Sequence, residues 1–194
     1  ADGGGGGCQV EPLVLSDAPL GPCVARWTPE RLAAAFGERK ASVHVSRHRG
    51  LDFLAKNFEY EVMTFRELLS RTRRGAPCRE GGGEYCYYRS QHAKRKRPSS
   101  LESLAPLDQD FELPNALRGD FEVHSTVLRV ASVGLRMWLH YDICDNILCC
   151  VRGRKRVMLL PPSEVGRCYM SGSSSALGSR LLEQEGEGTG EEQT

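Results

Sequence analysis

The chain has 194 residues, of which 40% are hydrophobic and 26% charged, and its formal net charge is +1. That length supports one domain with a sizeable core and is too short for two comfortable ones. Its longest apolar runs, such as VMLLPP, fall far short of the ~20 residues that cross a bilayer, and the opening ADGGGGG lacks the charged-then-apolar order of a secretory signal. A membrane partner is therefore excluded and an intracellular location, cytoplasmic or nuclear, is expected.

The eight cysteines are Cys8, Cys23, Cys78, Cys86, Cys144, Cys149, Cys150 and Cys168, and none form the two CxxC pairs of a zinc site. Three of them fall in an apolar, strand-like run, where a reduced cysteine is expected to act as a small buried hydrophobe. This usage fits a reducing compartment and not a secreted disulfide framework. A redox pair at Cys149 and Cys150 is disfavoured, because strand alternation points them to opposite faces. Charge is uneven: Arg66 to Pro98 carries ten Arg or Lys against three Glu, whereas residues 181–194 carry five Glu and no base.

In chain order, residues 1–10 are glycine-rich and expected to be flexible, and order begins at EPLVL. TPERLAAAF predicts a helix with Thr28 as N-cap, Pro29 at the first helical position and Leu32, Ala33 and Phe36 on one face. ASVHVSRH predicts a strand, with Val43 and Val45 sharing a face. TFRELLSRTRR predicts a second helix opened by Thr64, with Glu67 three positions on and a basic last turn that suits the helix dipole. GAPCREGGGEY reads as loop, YCYYRS as strand, and HAKRKRPSS as a charged connection.

Beyond Pro106 and Pro114, FEVHSTVLRVAS alternates as a half-buried strand should, and LRMWLHYD, NILCCVRG and KRVMLLPP extend this to nearly continuous β as far as Pro162. Gly153 in the Arg152-Gly153-Arg154 break suits a hairpin turn. The fold class expected is α+β, a helical N-terminal part feeding an antiparallel β core. Residues 11–170 form the domain, and 171–194, rich in Gly, Ser and Glu, form a disordered tail.

Within MWLHYDICDNILCC, His140 and Asp142 stand two apart in an apolar run. On a strand they leave the same face with Cα atoms roughly 6.5–7 Å apart. Imidazole and carboxylate so placed supply two of the three ligands of a non-haem Fe(II) facial triad, which leaves the opposite coordination positions open for oxygen and a cosubstrate. Asn146 follows His140 by an even offset, and Lys155 lies just past the predicted turn, where a half-buried ammonium calls for an anion such as a dicarboxylate.

The run HYDICDNILCCVRGRKRVMLLPP resembles the JmjC-type Fe(II)- and 2-oxoglutarate-dependent oxygenases, whose pattern is HxD, an Asn shortly after, and a Lys fifteen residues after the His, ahead of LxPP. PLVL, LGPC, KNFEY, the YYRS region, GLRMWLHYD and RKRVMLLPP recur in order and at similar intervals, from about residue 12 to 170, in the branch of that family that hydroxylates the wybutosine-type guanosine of phenylalanine tRNA. The resemblance implies a partial double-stranded β-helix of the cupin/JmjC jelly-roll type with N-terminal helices. It implies Fe(II) on His140 and Asp142, the distal carboxylate of 2-oxoglutarate on Lys155, Asn146 near the cosubstrate, and a phenolic hydrogen bond from Tyr87. For the last role Tyr85 and Tyr88 are close enough for a small register error to exchange them.

The pattern of that family also has a second histidine on a later strand. Here the histidines are His44, His48, His92, His124 and His140, so none follows Asp142. His124 is an alternative donor by strand parity, against which stands its reading as a structural histidine. The expectation is a fragment, a truncated product or a mispredicted gene end, with two protein ligands and little hydroxylation by this chain alone. Lys94, Arg95, Lys96 and Arg97 are candidate contacts to tRNA phosphates, or else a solvated loop or an import-like basic tetrad. A relative acting on protein side chains, a non-catalytic cupin-like module that docks RNA or a partner, and a homodimer stay open as alternatives.

Overall fold

A computed structural model describes residues 12–73, 83–92, 97–142 and 144–168. The expectations for residues 1–10, most of the loop at 75–85, Lys94, Arg95 and Lys96, and the 171–194 tail lie outside these residues. The first half builds as its local chemistry dictates. A short helix, α1 (Cys23–Arg26), leads into α2 (Pro29–Phe36), where the Thr28 hydroxyl accepts the Arg31 N–H at 3.2 Å. Its missing fourth-residue partner is replaced in this way, as an N-cap requires. Leu32 and Phe36, four apart, bury the same face.

Four strands form one antiparallel sheet in the order β3-β1-β4-β5: β1 (Lys40–Ser46), β3 (Glu59–Thr64), β4 (Tyr85–Arg89) and β5 (Arg129–Ala131). Between β1 and β3, β2 (Gly50–Leu51) leaves this sheet and pairs in parallel with β6 (Arg136–Met137). The helix α3 (Phe65–Arg73) follows β3 directly, capped by the Thr64 hydroxyl, which accepts the Glu67 N–H at 3.2 Å. Glu67 then turns to Arg71, at 2.7 Å, and the same guanidinium reaches Glu61 at 3.0 Å, tying α3 to its own strand. A last short helix, α4 (Asn115–Arg118), precedes the long run to β5.

β1 is buried on both faces, more than the single apolar face that Val43 and Val45 predict. Val43 and Val45 join Trp27, Leu32, Phe36, Phe65, Leu68, Cys86 and Leu104 in the hydrophobic core under the helices. His44 points the other way, into an aromatic layer made with Phe53, Phe58, Tyr60 and Tyr87. The alternation of β4 follows: Cys86 and Tyr88 face the helical core, where Tyr88 meets Phe65 edge-on at 5.5 Å, and Tyr87 faces the aromatic layer.

The nearly continuous β expected from 121 to 160 does not form. Of FEVHSTVLRVAS only Arg129–Ala131 is strand, of LRMWLHYD only Arg136–Met137, and among the described residues of NILCCVRG and KRVMLLPP none is. Gly153 takes the positive φ of +87° that a hairpin turn uses, yet no ladder closes around it. A strand is stabilised by the neighbour that satisfies its backbone and covers its apolar face, and an isolated hairpin is marginal in water. No such neighbour lies beside this arm among the described residues, so alternation alone does not produce strand. The cysteine expectation changes with it. Cys144 and Cys150 are exposed and Cys149 is half-buried against the core, while the fully buried thiols are Cys23 and Cys86. All six described cysteines are free, and burial pushes the Cys23, Cys86 and Cys149 thiols up. No helix among the described residues is long and apolar enough to cross a membrane.

Candidate functional site

The parallel pair β2-β6 carries the HxD segment to the aromatic layer. The Trp138 N–H donates to the Leu51 carbonyl at 3.1 Å, which continues the pairing of Leu51 with Met137 by one bond. Trp138 thereby meets Phe53 at 6.2 Å, and His140 stacks on Trp138 with centroids 5.7 Å apart and an interplanar angle of 15°. The His140 Nδ1 lies 2.9 Å from the Trp138 carbonyl. A carbonyl only accepts, so Nδ1 carries a proton, and in the neutral ring the lone pair is then on Nε2, the nitrogen left to bind a metal.

Asp142 and Asn146 meet directly: the Asn146 amide donates to an Asp142 carboxylate oxygen at 2.7 Å. The even offset on an unbroken strand is not what joins them. The chain bends at Cys144, and the contact joins two residues four apart that both lie outside any strand. A carboxylate held this way has one oxygen oriented and the other free, the arrangement that aligns a metal-ligating carboxylate. His140, Asp142 and Asn146 are all exposed.

Tyr87 lies beneath them, buried at 6% exposure. Burial pushes its phenol up, with Arg129 and Arg89 pulling it down and the Asp142 carboxylate pushing it up. Arg129, from β5, hydrogen-bonds this phenol, and the charge of Asp142, from the HxD segment, acts on it as well. These couplings also separate the three tyrosines: Tyr87 faces this site, Tyr88 faces the helical core, and Tyr85 is half-buried at the start of the strand.

Lys155 joins the same neighbourhood. The residue as a whole is exposed, but its ammonium is pulled down, first by burial and then by the positive charge of Arg129. Neither Lys155 nor Arg129 has a carboxylate partner in the ion pairs of the described residues. Arg129 thus acts on both the Tyr87 phenol and the Lys155 ammonium, and the Asp142 carboxylate acts on the same phenol. Arg129 is the residue that sequence reasoning missed. Its signal was an arginine inside the apolar VLRVAS, where a charged side chain in a strand needs a reason.

The donors fit a hard or borderline divalent cation in kind, one imidazole nitrogen and one carboxylate oxygen. They do not reach the number of a facial triad. No group of three or more His, Cys, Asp or Glu side chains among the described residues could hold a metal ion, and His124 is exposed and joins no such group.

The chain is 38% identical over 171 residues to tRNA wybutosine-synthesizing protein 5 of Danio rerio, covering 86% of this chain and 52% of that protein. The human protein of the same name is 33% identical over 171 residues, with 86% and 54% covered. tRNA wybutosine-synthesizing protein 4 of Emericella nidulans is 33% identical over 183 residues, 93% of this chain and 16% of the fungal protein. The chain therefore spans about half the length of the first two relatives and a small part of the third. The model of the Cupin-like domain matches residues 8–190, nearly the whole sequence, and with helices packed on a mainly antiparallel sheet the chain belongs to the cupin-like domain family.

Proposed function

We propose that this chain carries the metal and cosubstrate half of an Fe(II)- and 2-oxoglutarate-dependent hydroxylase acting on the wybutosine-type guanosine of phenylalanine tRNA, inside the cell. The observation that supports it best is Arg129 from β5 acting on both the Tyr87 phenol and the Lys155 ammonium, with the Asp142 carboxylate, held by Asn146, acting on the same phenol. A dicarboxylate is a ligand such a group can take, because guanidinium and ammonium groups form charge-assisted hydrogen bonds with carboxylates.

His140 would hold the metal through Nε2 and Asp142 through the oxygen that Asn146 leaves free. When bound, Fe(II) supplies the activation of dioxygen that couples decarboxylation of 2-oxoglutarate to hydroxylation of a C–H bond. Lys155 and Arg129 orient the distal carboxylate of the cosubstrate, and Tyr87, kept protonated by its burial, donates a hydrogen bond to it. Trp138 stacks on the His140 ring and restricts its rotation. Asn146 would lie against the cosubstrate as well as holding Asp142. The relatives' names point to tRNA, and Lys94, Arg95, Lys96 and Arg97 are proposed phosphate contacts; of these only Arg97 is a described residue, and it is exposed. The closed double-stranded β-helix of such enzymes belongs to the same proposal.

Binding and turnover separate the parts of this reading. Calorimetry with Mn(II) and 2-oxoglutarate should show both binding, with cosubstrate affinity lost in Lys155→Ala, and succinate release in the presence of tRNA should be slight. Absence of metal and cosubstrate binding would sink the reading. Turnover at ordinary rates would show that a further residue completes the triad. The exposure of His140 and Asp142, together with the two-donor count, favours one other reading, a non-catalytic docking module, for which Lys155→Ala leaves every binding property unchanged.

A further inference from the structure

We propose that Arg47, Arg49 and Arg136 form a strip that binds RNA phosphates beside the candidate metal site; the choice of RNA rests on the function proposed above. The strip is assembled by the fold, since the segments that supply it are over eighty residues apart. The parallel pair β2-β6 brings them together: the Arg136 N–H donates to the Arg49 carbonyl at 2.8 Å, and the Arg49 Nε donates to the Gly134 carbonyl at 2.6 Å. Gly134 has a φ of +79°, a left-handed conformation that favours glycine, and the Arg49 guanidinium lies against it. Arg49 thus uses one N–H internally and keeps its two terminal nitrogens for a ligand.

Arg47, His48, Arg49 and Arg136 are all exposed. The seven ion pairs of the described residues engage Arg26, Arg66, Arg71, Arg73 and Arg167, and none engages Arg47, Arg49 or Arg136. In a chain with a net charge of only +1, this is a local concentration of positive charge with no carboxylate in ion-pair contact among the described residues. Guanidinium groups match phosphate oxygens in bidentate geometry and remain charged at any pH the protein meets.

The position of the strip points to RNA more than to an acidic protein. Arg136 precedes His140 by four residues, no more than ~13 Å of chain at ~3.3 Å per residue, with Trp138 between them stacked on His140. A nucleotide presented to the metal face would have its flanking phosphates within reach of the strip. Tyr141, an exposed aromatic ring next to His140, offers a face on which a neighbouring base could stack. The strip is separate in sequence from the Lys94 to Arg97 run and makes its own prediction.

The test uses the full chain, a phenylalanine tRNA transcript, and the double variant Arg47→Ser/Arg136→Gln, which leaves Arg49 on Gly134. Each phosphate contact removed should lower the slope of log affinity against log salt by ~0.7–0.9, so the affinity lost between 50 and 200 mM salt should shrink by roughly tenfold. Arg47→Lys/Arg136→Lys should keep the slope, and matching thermal unfolding curves should show that both variants fold. An unchanged slope in the Ser/Gln variant, no binding of the transcript by the unaltered chain, or equal affinity for polyglutamate would overturn the strip. Mn(II) binding is measured alongside. Loss of slope without any Mn(II) binding supports the strip and sinks the hydroxylase reading, whereas Mn(II) binding with an unchanged slope does the reverse.

Discussion

Residues 121–165 are richer in apolar side chains than residues 20–107, yet it is the earlier region that buries them. All fifteen residues of the buried core cluster lie between Leu20 and Leu107. Of the twenty large hydrophobic residues exposed among the described residues, thirteen lie between Phe121 and Val165. The first region pairs each strand with a neighbour and seals one face with helices. The second touches that unit through short pairings at β5 and β6 and through Cys149 and Val151, which pack against the core. Apolar sequence produces burial only where a second surface is available to receive it, which is why hydrophobicity alone does not tell which half is buried.

The sharpest way to break this contrast is a truncation in each region. Leu68→Ala, at a fully buried position on α3, should cost ~2–5 kcal/mol of unfolding free energy in a urea titration, since it removes contacts and leaves a cavity. A cost below ~1 kcal/mol would mean that the helical core is as loosely held as the arm.

The arm's own order is tested at its polar contact. Asn146→Ala removes the 2.7 Å hydrogen bond that orients Asp142 and should weaken Mn(II) binding by about 10–100-fold, with no change in the urea midpoint. Loss of both together would assign Asn146 to folding instead.

A third prediction concerns His44, buried at 2% exposure with its Nδ1 3.2 Å from the Tyr87 carbonyl. Burial holds its pKa below the usual histidine value of about 6.5, against the pull of that hydrogen bond and together with the charge of Arg89. The unfolded chain then binds a proton that the folded chain refuses. This contribution to stability is complete above pH ~6.5 and declines as the pH falls toward the folded pKa. His44→Gln, whose amide can still donate to Tyr87, should flatten the decline below pH ~6.5 in denaturant titrations, and an unchanged pH profile would show that His44 is reached by water.

The smallest effect belongs to the arm's apolar surface. Leu159→Ser, at a position 64% exposed, should shift unfolding free energy by no more than ~0.5 kcal/mol while raising solubility. A loss of ~2 kcal/mol or more would reveal that Leu159 is covered in solution, and the contrast between the two regions would then have to be redrawn.

Local chemistry was enough for the elements whose stabilisation is local. Thr28 and Pro29, Thr64 and Glu67, and the alternation of KASVHVS and YCYYR determine α2, α3, β1 and β4 before any tertiary contact is considered, because caps and side-chain periodicity act within a few residues. The sequence likewise marked His140, Asp142, Asn146 and Lys155 as one candidate motif. Only the tertiary structure decided three further points. Tyr87, and not Tyr88, faces the motif, because β4 packs Tyr88 against Phe65. Arg129 enters the site from β5, a placement that depends on strand pairing and not on spacing along the chain. The alternating run after Met137 does not become strand, because a strand requires a paired neighbour, and alternation cannot say whether one is there.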